Sequence, residues 1–183
     1  KFEFLTEEES EQFIAAFREV KIKKRQYIVQ PGFTAKCRHY VVKGAFRSFV
    51  VGDNGSDYTI SFAIEDWWIT DYNSYIYQQP ATLFVVALED SVILQIDFDK
   101  EQELKKSSHH FETIFRIMAE RGLAFHQRRM ISNLTQTAEE RYDLFMEKYP
   151  QIAQRLPQYA LATFLGMTTE FLSKIRNNKI KRR

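Results

Sequence analysis

The side chains with the clearest chemistry lie in one stretch near the C-terminus, from Leu156 to Asn178. Thr168 is a good N-cap for a short helix in this stretch. Helical spacing turns four polar side chains outward from that helix: Thr169, Glu170, Ser173 and Lys174. Together they present hydrogen-bond donors, acceptors and one charge of each sign. This is chemistry for recognising a polar partner, and nothing here marks a nucleophile.

Two short amphipathic helices must position these groups, and a tight turn at residues 166–168 joins them. The first helix follows Pro157, whose missing N–H is harmless at a helix start. The inward faces carry Ala160, Leu161, Phe164 and Leu165 in the first helix and Phe171, Leu172 and Ile175 in the second. Such a pair about a glycine is typical of the helix-turn-helix, whose second helix enters the major groove of DNA. A helical hairpin that only completes a core has the same pattern, so both interpretations stay open at this point.

The charge of the chain is nearly balanced overall but basic at its end. The formal net charge of the 183 residues is +2, so the chain as a whole is not a polycation. After residue 173, however, every charged residue is basic: Lys174, Arg176, Lys179, Lys181, Arg182 and Arg183. Such a run is commonly a solvated tail, but directly after a DNA-reading helix it is well placed to neutralise phosphates.

Composition excludes several classes of protein. A hydrophobic content of 44% is enough to build a core through most of the chain. The single Cys37 excludes an intrachain disulfide and a Cys-ligated iron–sulfur cluster or zinc finger. We find no signal-peptide pattern and no apolar run long enough to cross a membrane, and we therefore expect a cytoplasmic protein.

The N-terminal half is predicted to be a helix followed by short strands. Thr6 and Glu9 form a capping box ahead of the helix. Short strands separated by turn signals are predicted at residues 20–22, 39–42, 45–51, 58–63, 83–88 and 92–96. Asp53-Asn54-Gly55 predicts a hairpin, and we expect the last two strands to pair around Glu89-Asp90-Ser91. Short strands without long helices between them predict an antiparallel β-roll of the jelly-roll type.

The second half is predicted to be helical, with one long helix. Ser108 can cap it, and its pattern runs to about Leu134, a length of about 38 Å. Its apolar stripe carries Phe111, Ile114, Phe115, Met118, Phe125, Met130 and Leu134, and the first five of these are the predicted dimer contacts. A buried core helix is one interpretation, but the helix is longer than a small domain needs, and we predict a dimer seam along this stripe. A second capping box, Thr137 with Glu140, begins the next helix, which ends before Pro150.

A β-roll, a long helix, a short capped helix and a helix-turn-helix, in this order, make nearly the whole chain resemble the Crp/Fnr family of bacterial transcription regulators. His39 to Ala63 is similar to the glycine-turned strands of that family's sensor domain, and Gln79 to Asp97 to the strands after its ligand cassette. Thr137 to Pro150 and Leu161 to Arg176 are similar to the start and the reading head of its DNA-binding domain.

The resemblance implies an α+β chain of three parts: a cyclic-nucleotide-binding-like sensor β-roll at residues 1–106, a dimerisation helix at 107–135 and a helix-turn-helix domain at 136–183. It also implies a homodimer that binds double-stranded DNA, works with RNA polymerase and contacts no membrane. Carried over by position, the base-reading residues are Thr169, Glu170, Ser173 and Lys174. The phosphate contacts are Thr168, Arg176, Lys179, Lys181 and Arg182.

The chain departs from the family pattern in two places. Family members usually continue into a β-hairpin wing, and here we expect the basic tail to stand in for it. Cyclic-nucleotide-binding members also carry a Gly-Glu pair and then an arginine that neutralises the cyclic phosphate. The corresponding residues here are Thr70-Asp71 and Gln79-Pro80-Ala81. A buried phosphate without a cation is penalised by several kcal/mol, so we predict that cyclic AMP is not the ligand, unless Arg47 reaches the pocket from a neighbouring strand.

What the sensor part binds stays open at this stage. Its aromatic residues either fill a ligand-free core or line a pocket for an apolar small molecule. The candidate pocket residues are Trp68, Asp71, Tyr72, Asn73, Ser74, Ala81 and Thr82. A regulator responsive to a cyclic nucleotide or another small molecule through a divergent pocket is the alternative function. Haem also stays open, because the chain has four histidines: His39, His109, His110 and His126.

An enzyme is the remote alternative. A cupin-like metal enzyme needs two or three histidines and a carboxylate on neighbouring strands. Between residues 20 and 96 the only histidine is His39. We therefore expect no catalytic residue, no metal and no cofactor.

Overall fold

The computed structural model describes residues 4–181. Its strands are β1 (Arg18–Ile22), β2 (Tyr27–Val29), β3 (Cys37–Lys43), β4 (Phe46–Val51), β5 (Asp57–Ala63), β6 (Trp68–Ile69), β7 (Phe84–Ala87) and β8 (Ser91–Asp97). Its helices are α1 (Glu7–Ala15), α2 (Tyr72–Tyr77), α3 (Phe98–Ser107), α4 (His109–Thr135), α5 (Ala138–Lys148), α6 (Pro150–Arg155), α7 (Gln158–Phe164) and α8 (Thr169–Lys181).

The strands form two antiparallel sheets around one core. Each sheet has four strands, in the orders β1-β8-β3-β6 and β2-β7-β4-β5. Apolar side chains from both sheets meet in that core, including Val41 and Ile93 from the first sheet and Phe46 and Val85 from the second. The predicted antiparallel β-roll is therefore confirmed. The hairpin at Asp53-Asn54-Gly55 is also present, because β4 pairs with β5 and Gly55 has a φ of 76°.

One predicted strand pairing is wrong. The strands around Glu89-Asp90-Ser91 do not pair with each other: β7 pairs with β2 and β4, whereas β8 pairs with β1 and β3. This connection carries the chain from one sheet to the other. It lacks the glycine that a tight hairpin turn favours, and each strand instead turns its apolar face towards the core shared by both sheets.

The two predicted capping boxes are present. The Thr6 hydroxyl accepts from the Glu9 backbone N–H at 3.1 Å, while the Glu9 carboxylate accepts from the Thr6 N–H at 3.0 Å. Thr137 and Glu140 make the same reciprocal pair at the start of α5. Pro150 does more than end α5, since it is also the first residue of α6, a short helix that the sequence pattern did not predict.

The long helix α4 spans 27 residues, and the Ser108 side chain caps it by accepting from the His110 N–H at 3.2 Å. Its first half is not free for a dimer. Phe111, Ile114 and Phe115 are buried in a core of the same chain, where α1 and α3 cover them, and Met118 packs beside them. The exposed apolar residues of α4 lie further on: Leu123 at 70%, Met130 at 64%, Ile131 at 53% and Leu134 at 80% exposure. The predicted seam along Phe111, Ile114 and Phe115 is therefore wrong.

The C-terminal helices form a second core, which also includes Phe62 from strand β5. The inward face of α7 is buried as predicted, and so are Leu172 and Ile175 of α8. Phe171 differs from the prediction because its side chain is 45% exposed. Since Leu172 and Ile175 lie three residues apart and already complete the contact with α7, Phe171 falls on the flank of the helix.

Candidate functional site

The turn into α8 has the predicted geometry. Gly166 adopts a φ of 69°, a left-handed conformation that favours glycine. Thr168 then accepts from the Phe171 backbone N–H through its hydroxyl at 3.2 Å. Hydrogen bonds from its own backbone N–H and from Thr168 lower the pKa of the Glu170 carboxyl below its ordinary value. The turn therefore presents an ionised acceptor at the start of α8.

The four predicted base-reading side chains are not equivalent. Glu170 and Lys174 are exposed and Thr169 is half-buried on the outer side of α8. The Ser173 hydroxyl is already engaged, because it donates to the Thr169 carbonyl at 2.9 Å and accepts from the Gln158 side chain. Ser173 therefore joins α7 to α8, and the groups left for a partner are those of Thr169, Glu170 and Lys174.

The predicted phosphate-contacting residues fall into two groups, those that are exposed and those that already contact other residues of the chain. Thr168 and Lys181 are exposed. Arg176 is half-buried with its guanidinium 6.0 Å from the centre of the Tyr142 ring. Lys179 is occupied by α5, since its ammonium lies 2.7 Å from an Asp143 oxygen and 3.4 Å from a Glu139 oxygen, contacts that raise its pKa. Arg182 lies outside the described residues.

A cavity of about 1380 Å³ lies between the β-roll and α4. Aromatic and aliphatic side chains from α1, β5, β6, α4 and the residues beside them line most of it, among them Phe17, Phe62, Trp67, Met118 and Phe125. Of the predicted pocket residues, five line the cavity: Trp68, Asp71, Tyr72, Asn73 and Thr82. Ser74 and Ala81 do not line it: both are buried, and the Ser74 hydroxyl accepts from the Ala35 N–H and donates to the Gln79 carbonyl.

The Asp71 carboxylate is buried, with 1% of the residue exposed. One of its oxygens caps α2 by accepting from the Ser74 N–H at 3.0 Å. The other accepts from the backbone N–H groups of Thr82 at 2.8 Å and Leu83 at 3.0 Å, with the Thr82 hydroxyl at 3.4 Å. Asp71 therefore holds together the two ends of the segment between α2 and β7, and both oxygens of this predicted pocket residue are already engaged within the chain.

Arg47 does not supply the cavity with a cation. It is buried on β4, where it donates to Asp57 at 3.0 Å and to the Thr59 hydroxyl at 2.8 Å, and it does not line the cavity. Among the described lining residues, the one arginine or lysine is Arg121, exposed on α4. The lining histidine, His126, has its pKa lowered by partial burial and by the nearby Arg129 charge.

Three parts of the fold meet at Arg129, a residue of α4 that sequence reasoning missed. Its guanidinium donates to the carbonyls of Ile60 and of Thr59 (3.3 Å) on β5, an edge strand, and to the Phe164 carbonyl (3.1 Å) at the end of α7. The last carbonyls of a helix and those of a sheet edge have no partner of their own, so an arginine suits both. Its burial lowers the pKa of Arg129 to about 10. A basic residue within a long helix gave no signal of this role.

A second arginine joins the helices to the β-roll. Arg155 of α6 pairs with Glu65 at 2.8 Å and with Glu89, and the bonds from Arg155 hold the pKa of Glu65 down at about 2. The Thr59 and Thr163 hydroxyls share a further hydrogen bond of 2.7 Å between β5 and α7. The C-terminal helices are therefore fixed to the β-roll through the edge of β5 and through Glu65 and Glu89.

The remaining groups of chemical interest are buried or dispersed. The Cys37 thiol donates to Asp97 at 2.9 Å, and burial raises its pKa to about 12. His39 is buried, which lowers its pKa to about 4. Between residues 4 and 181 no three His, Cys, Asp or Glu side chains are grouped so that they could hold a metal ion. Within the same range no helix is both long and apolar enough to span a membrane.

Comparison with known proteins agrees with this architecture. Residues 19–108 match the family model of the cyclic nucleotide-binding domain. No curated protein matches the sequence. Among solved structures, FixK2 from Bradyrhizobium japonicum is similar with a TM-score of 0.80 at 17% identity, covering 91% of this chain and 85% of FixK2. The c-di-GMP-responsive regulator CLP from Xanthomonas campestris is similar with a TM-score of 0.76 at 13% identity, covering 97% and 93%.

A CRP/FNR-family transcriptional regulator from Thermus thermophilus is also similar, with a TM-score of 0.70 at 18% identity, covering 90% of this chain and 87% of that one. At these identities the likeness establishes the fold. Residues 19–108 are thus similar to cyclic nucleotide-binding domains, and the chain has the fold of the solved Crp/Fnr transcription regulators.

Proposed function

We propose that this protein is a sequence-specific DNA-binding transcription regulator that acts as a homodimer. The observation that carries the proposal is α8, whose apolar face is buried against α7 while Glu170 and Lys174 stand exposed on its outer side. Glu170 can accept from cytosine N4 and Lys174 can donate to guanine O6 or N7. Thr168 and Lys181 are the exposed groups for the phosphate backbone.

The dimer is proposed to form along the second half of α4. Leu123, Met130 and Leu134 are exposed there and recur at intervals of seven and four residues, the spacing of a coiled-coil seam. A two-fold axis along this seam would present two copies of α8 to half-sites about 34–36 Å apart. We retain residues 1–106, 107–135 and 136–183 as the proposed sensor, dimerisation and DNA-binding parts.

Cyclic AMP is not the proposed effector. The segment at residues 79–81 holds no cation, and Arg47 is committed to Asp57 on the other side of β4. A cyclic phosphate would therefore enter a mostly apolar cavity without a cation to offset its desolvation, and the N–H groups of Thr82 and Leu83 are already taken by Asp71. Any effector of this cavity is proposed to be a largely apolar molecule, in keeping with its aromatic lining.

Selection of duplexes from a random DNA pool tests this function, at fixed near-physiological salt, with and without millimolar cyclic AMP. We expect the same inverted repeat to be enriched in both arms. Enrichment only with cyclic AMP would leave the DNA-binding role intact and contradict the effector proposal. No enriched sequence in either arm would contradict sequence-specific binding by the free protein.

Variants of α8 test how DNA is read. Glu170→Ala and Lys174→Ala should relax the preferred sequence, with a loss of discrimination of about 1–3 kcal/mol at the base pairs concerned. Lys181→Ala should weaken binding to specific and random duplexes alike and reduce the salt dependence. Lys179→Ala is the matched control, because this lysine is paired with Asp143 and should contribute less. Equal effects of all four variants on both kinds of duplex would contradict these roles.

A further inference from the structure

Asp71 occupies an unusual position for a buried carboxylate. Three backbone N–H groups converge on it, from Ser74, Thr82 and Leu83, and a hydroxyl lies at 3.4 Å. No lysine or arginine of the described chain forms an ion pair with it. A carboxylate is an acceptor-only group, and every partner here is a donor. The pocket around Asp71 is thus built to hold an anionic group by hydrogen bonds alone.

The donors have the arrangement of an anion-binding site. Two consecutive backbone N–H groups, those of Thr82 and Leu83, aim at a single Asp71 oxygen. Successive N–H groups of this kind form concave sites for anions such as phosphate. The site borders the cavity under α4, because Asp71, Thr82 and Leu83 are all among the residues that line it. An anion that entered the cavity would find these donors already filled by the chain.

We propose that Asp71 is a built-in substitute for the anionic group of a ligand. Its carboxylate occupies the anion site formed by the N–H groups of Thr82 and Leu83. Residues 79–83 thereby keep, without any small molecule, the conformation that a bound anion would stabilise. An attached group loses no translational freedom on binding, so a free anion at millimolar concentration does not displace it. The site that Asp71 fills takes small carboxylates or phosphate once the side chain is removed.

The consequence for regulation rests on the proposed function. If the filled site fixes the sensor domain, DNA binding by the natural chain is independent of small anions. Removal of the Asp71 carboxylate then makes DNA binding depend on an added anion. The anion site itself can be tested without DNA, so the two proposals fail separately.

The variant for the test is Asp71→Ser in the full chain. Serine is also a good N-cap, so α2 keeps its start, while the oxygen that met Thr82 and Leu83 is lost. Thermal unfolding is followed in sodium formate, acetate or phosphate against sodium chloride at equal ionic strength. Trp67 and Trp68 both line the cavity and are the only tryptophans of the chain, so their fluorescence reports its occupancy.

We expect formate to raise the Tm of Asp71→Ser in a saturable way, by roughly 2–4 °C, and to change its tryptophan emission. The natural chain should show neither effect. Asp66→Ser is the matched control: Asp66 lines the same cavity, but among the side-chain donors of residues 4–181 it accepts from the Tyr40 hydroxyl alone, at 2.6 Å. It should not respond to formate.

The outcomes separate the two proposals. A folded Asp71→Ser chain that responds to none of the three anions overturns the inference, and so does an equal response of Asp66→Ser. If Asp71→Ser is unfolded in chloride, refolding in formate supports the inference and failure in every anion overturns it. DNA binding by Asp71→Ser that depends on an added anion supports the regulatory consequence. A natural chain that binds no DNA sequence contradicts the proposed function but does not affect the inference about the anion site.

Discussion

The two halves of α4 carry similar apolar side chains but have opposite surroundings. Phe111, Ile114 and Phe115 in the first half are buried within the chain, whereas Leu123, Met130 and Leu134 in the second half are largely exposed. The apolar spacing is roughly heptad through the first half and looser in the second, with Gly122 between them, but this pattern does not show which half is covered. What differs is the neighbours, because α1 and α3 cover the first half, whereas β5, Trp67 and the end of α7 contact one side of the second half and leave Leu123, Met130 and Leu134 uncovered.

The contrast between the halves indicates that an apolar stripe shows where a surface must be covered, but not whether the same chain or a second molecule covers it. A stripe covered by the same chain contributes to the folding of the monomer. A stripe left exposed over several turns is a surface for a second molecule. Four tests of the difference between buried and exposed side chains follow, from the largest expected change in the free energy of unfolding to the smallest.

Phe111→Ala should have the largest effect. The residue is fully buried, and its ring stacks on Phe13 with 5.9 Å between centroids, so its removal leaves a cavity that the helices cannot close. We expect a loss of about 3–5 kcal/mol in the free energy of unfolding, measured by urea denaturation. Leu134→Ala is the control from the exposed half and should cost less than about 1 kcal/mol at low protein concentration. Similar losses for both would break the comparison.

His39 extends the contrast to titratable groups. Its pKa is lowered from 6.5 to about 4 in the folded chain, so the unfolded chain binds the proton more readily. This contribution to stability is therefore complete above pH 6.5 and is lost as the pH falls towards 4. We expect a loss of about 3 kcal/mol over that interval, seen as the difference between the natural chain and His39→Gln. Parallel pH profiles for the two proteins would contradict the assignment.

Arg129→Ala should destabilise the joint between the sensor sheet and the helix-turn-helix. It leaves the carbonyls of Thr59, Ile60 and Phe164 without their donor, at a cost of about 2–3 kcal/mol. Hydrogen exchange should rise at β5 and at the end of α7. Arg128→Ala removes the same charge from an exposed position and should change stability by less than about 0.5 kcal/mol. The proposed joint would be refuted by equal exchange in the two variants.

Charge in the exposed seam should leave the monomer nearly unchanged and abolish the dimer. Leu123→Lys combined with Leu134→Lys should alter the unfolding free energy of the monomer by less than about 0.5 kcal/mol, because neither side chain is covered within the chain. Sedimentation analysis should show a shift from dimer to monomer, whereas Ile14→Lys, another exposed apolar position, should remain dimeric. A dimer that survives the double substitution would place the interface elsewhere.

Local chemistry decided what could be predicted from the sequence. The capping boxes at Thr6 and Thr137, the glycine turn at Gly166 and the hairpin at Gly55 each depend on residues within a few positions of one another. Side-chain hydrogen bonds of this range and the conformational freedom of glycine act in any tertiary context. The β-roll and the helix-turn-helix were therefore predictable in kind, as was the inward face of α7.

Only the tertiary structure decided the contacts between residues distant along the chain. It placed β7 and β8 in different sheets, covered the first half of α4, paired Lys179 with Asp143, and brought Thr82 and Leu83 to the Asp71 carboxylate. Each of these depends on which apolar surfaces meet in the core, and alternating or helical patterns show only that a surface is apolar. Because hydrophobic burial is not directional, the sequence pattern does not specify which two apolar surfaces meet. The contacts of each charged or apolar side chain are therefore set by the packing of the whole fold.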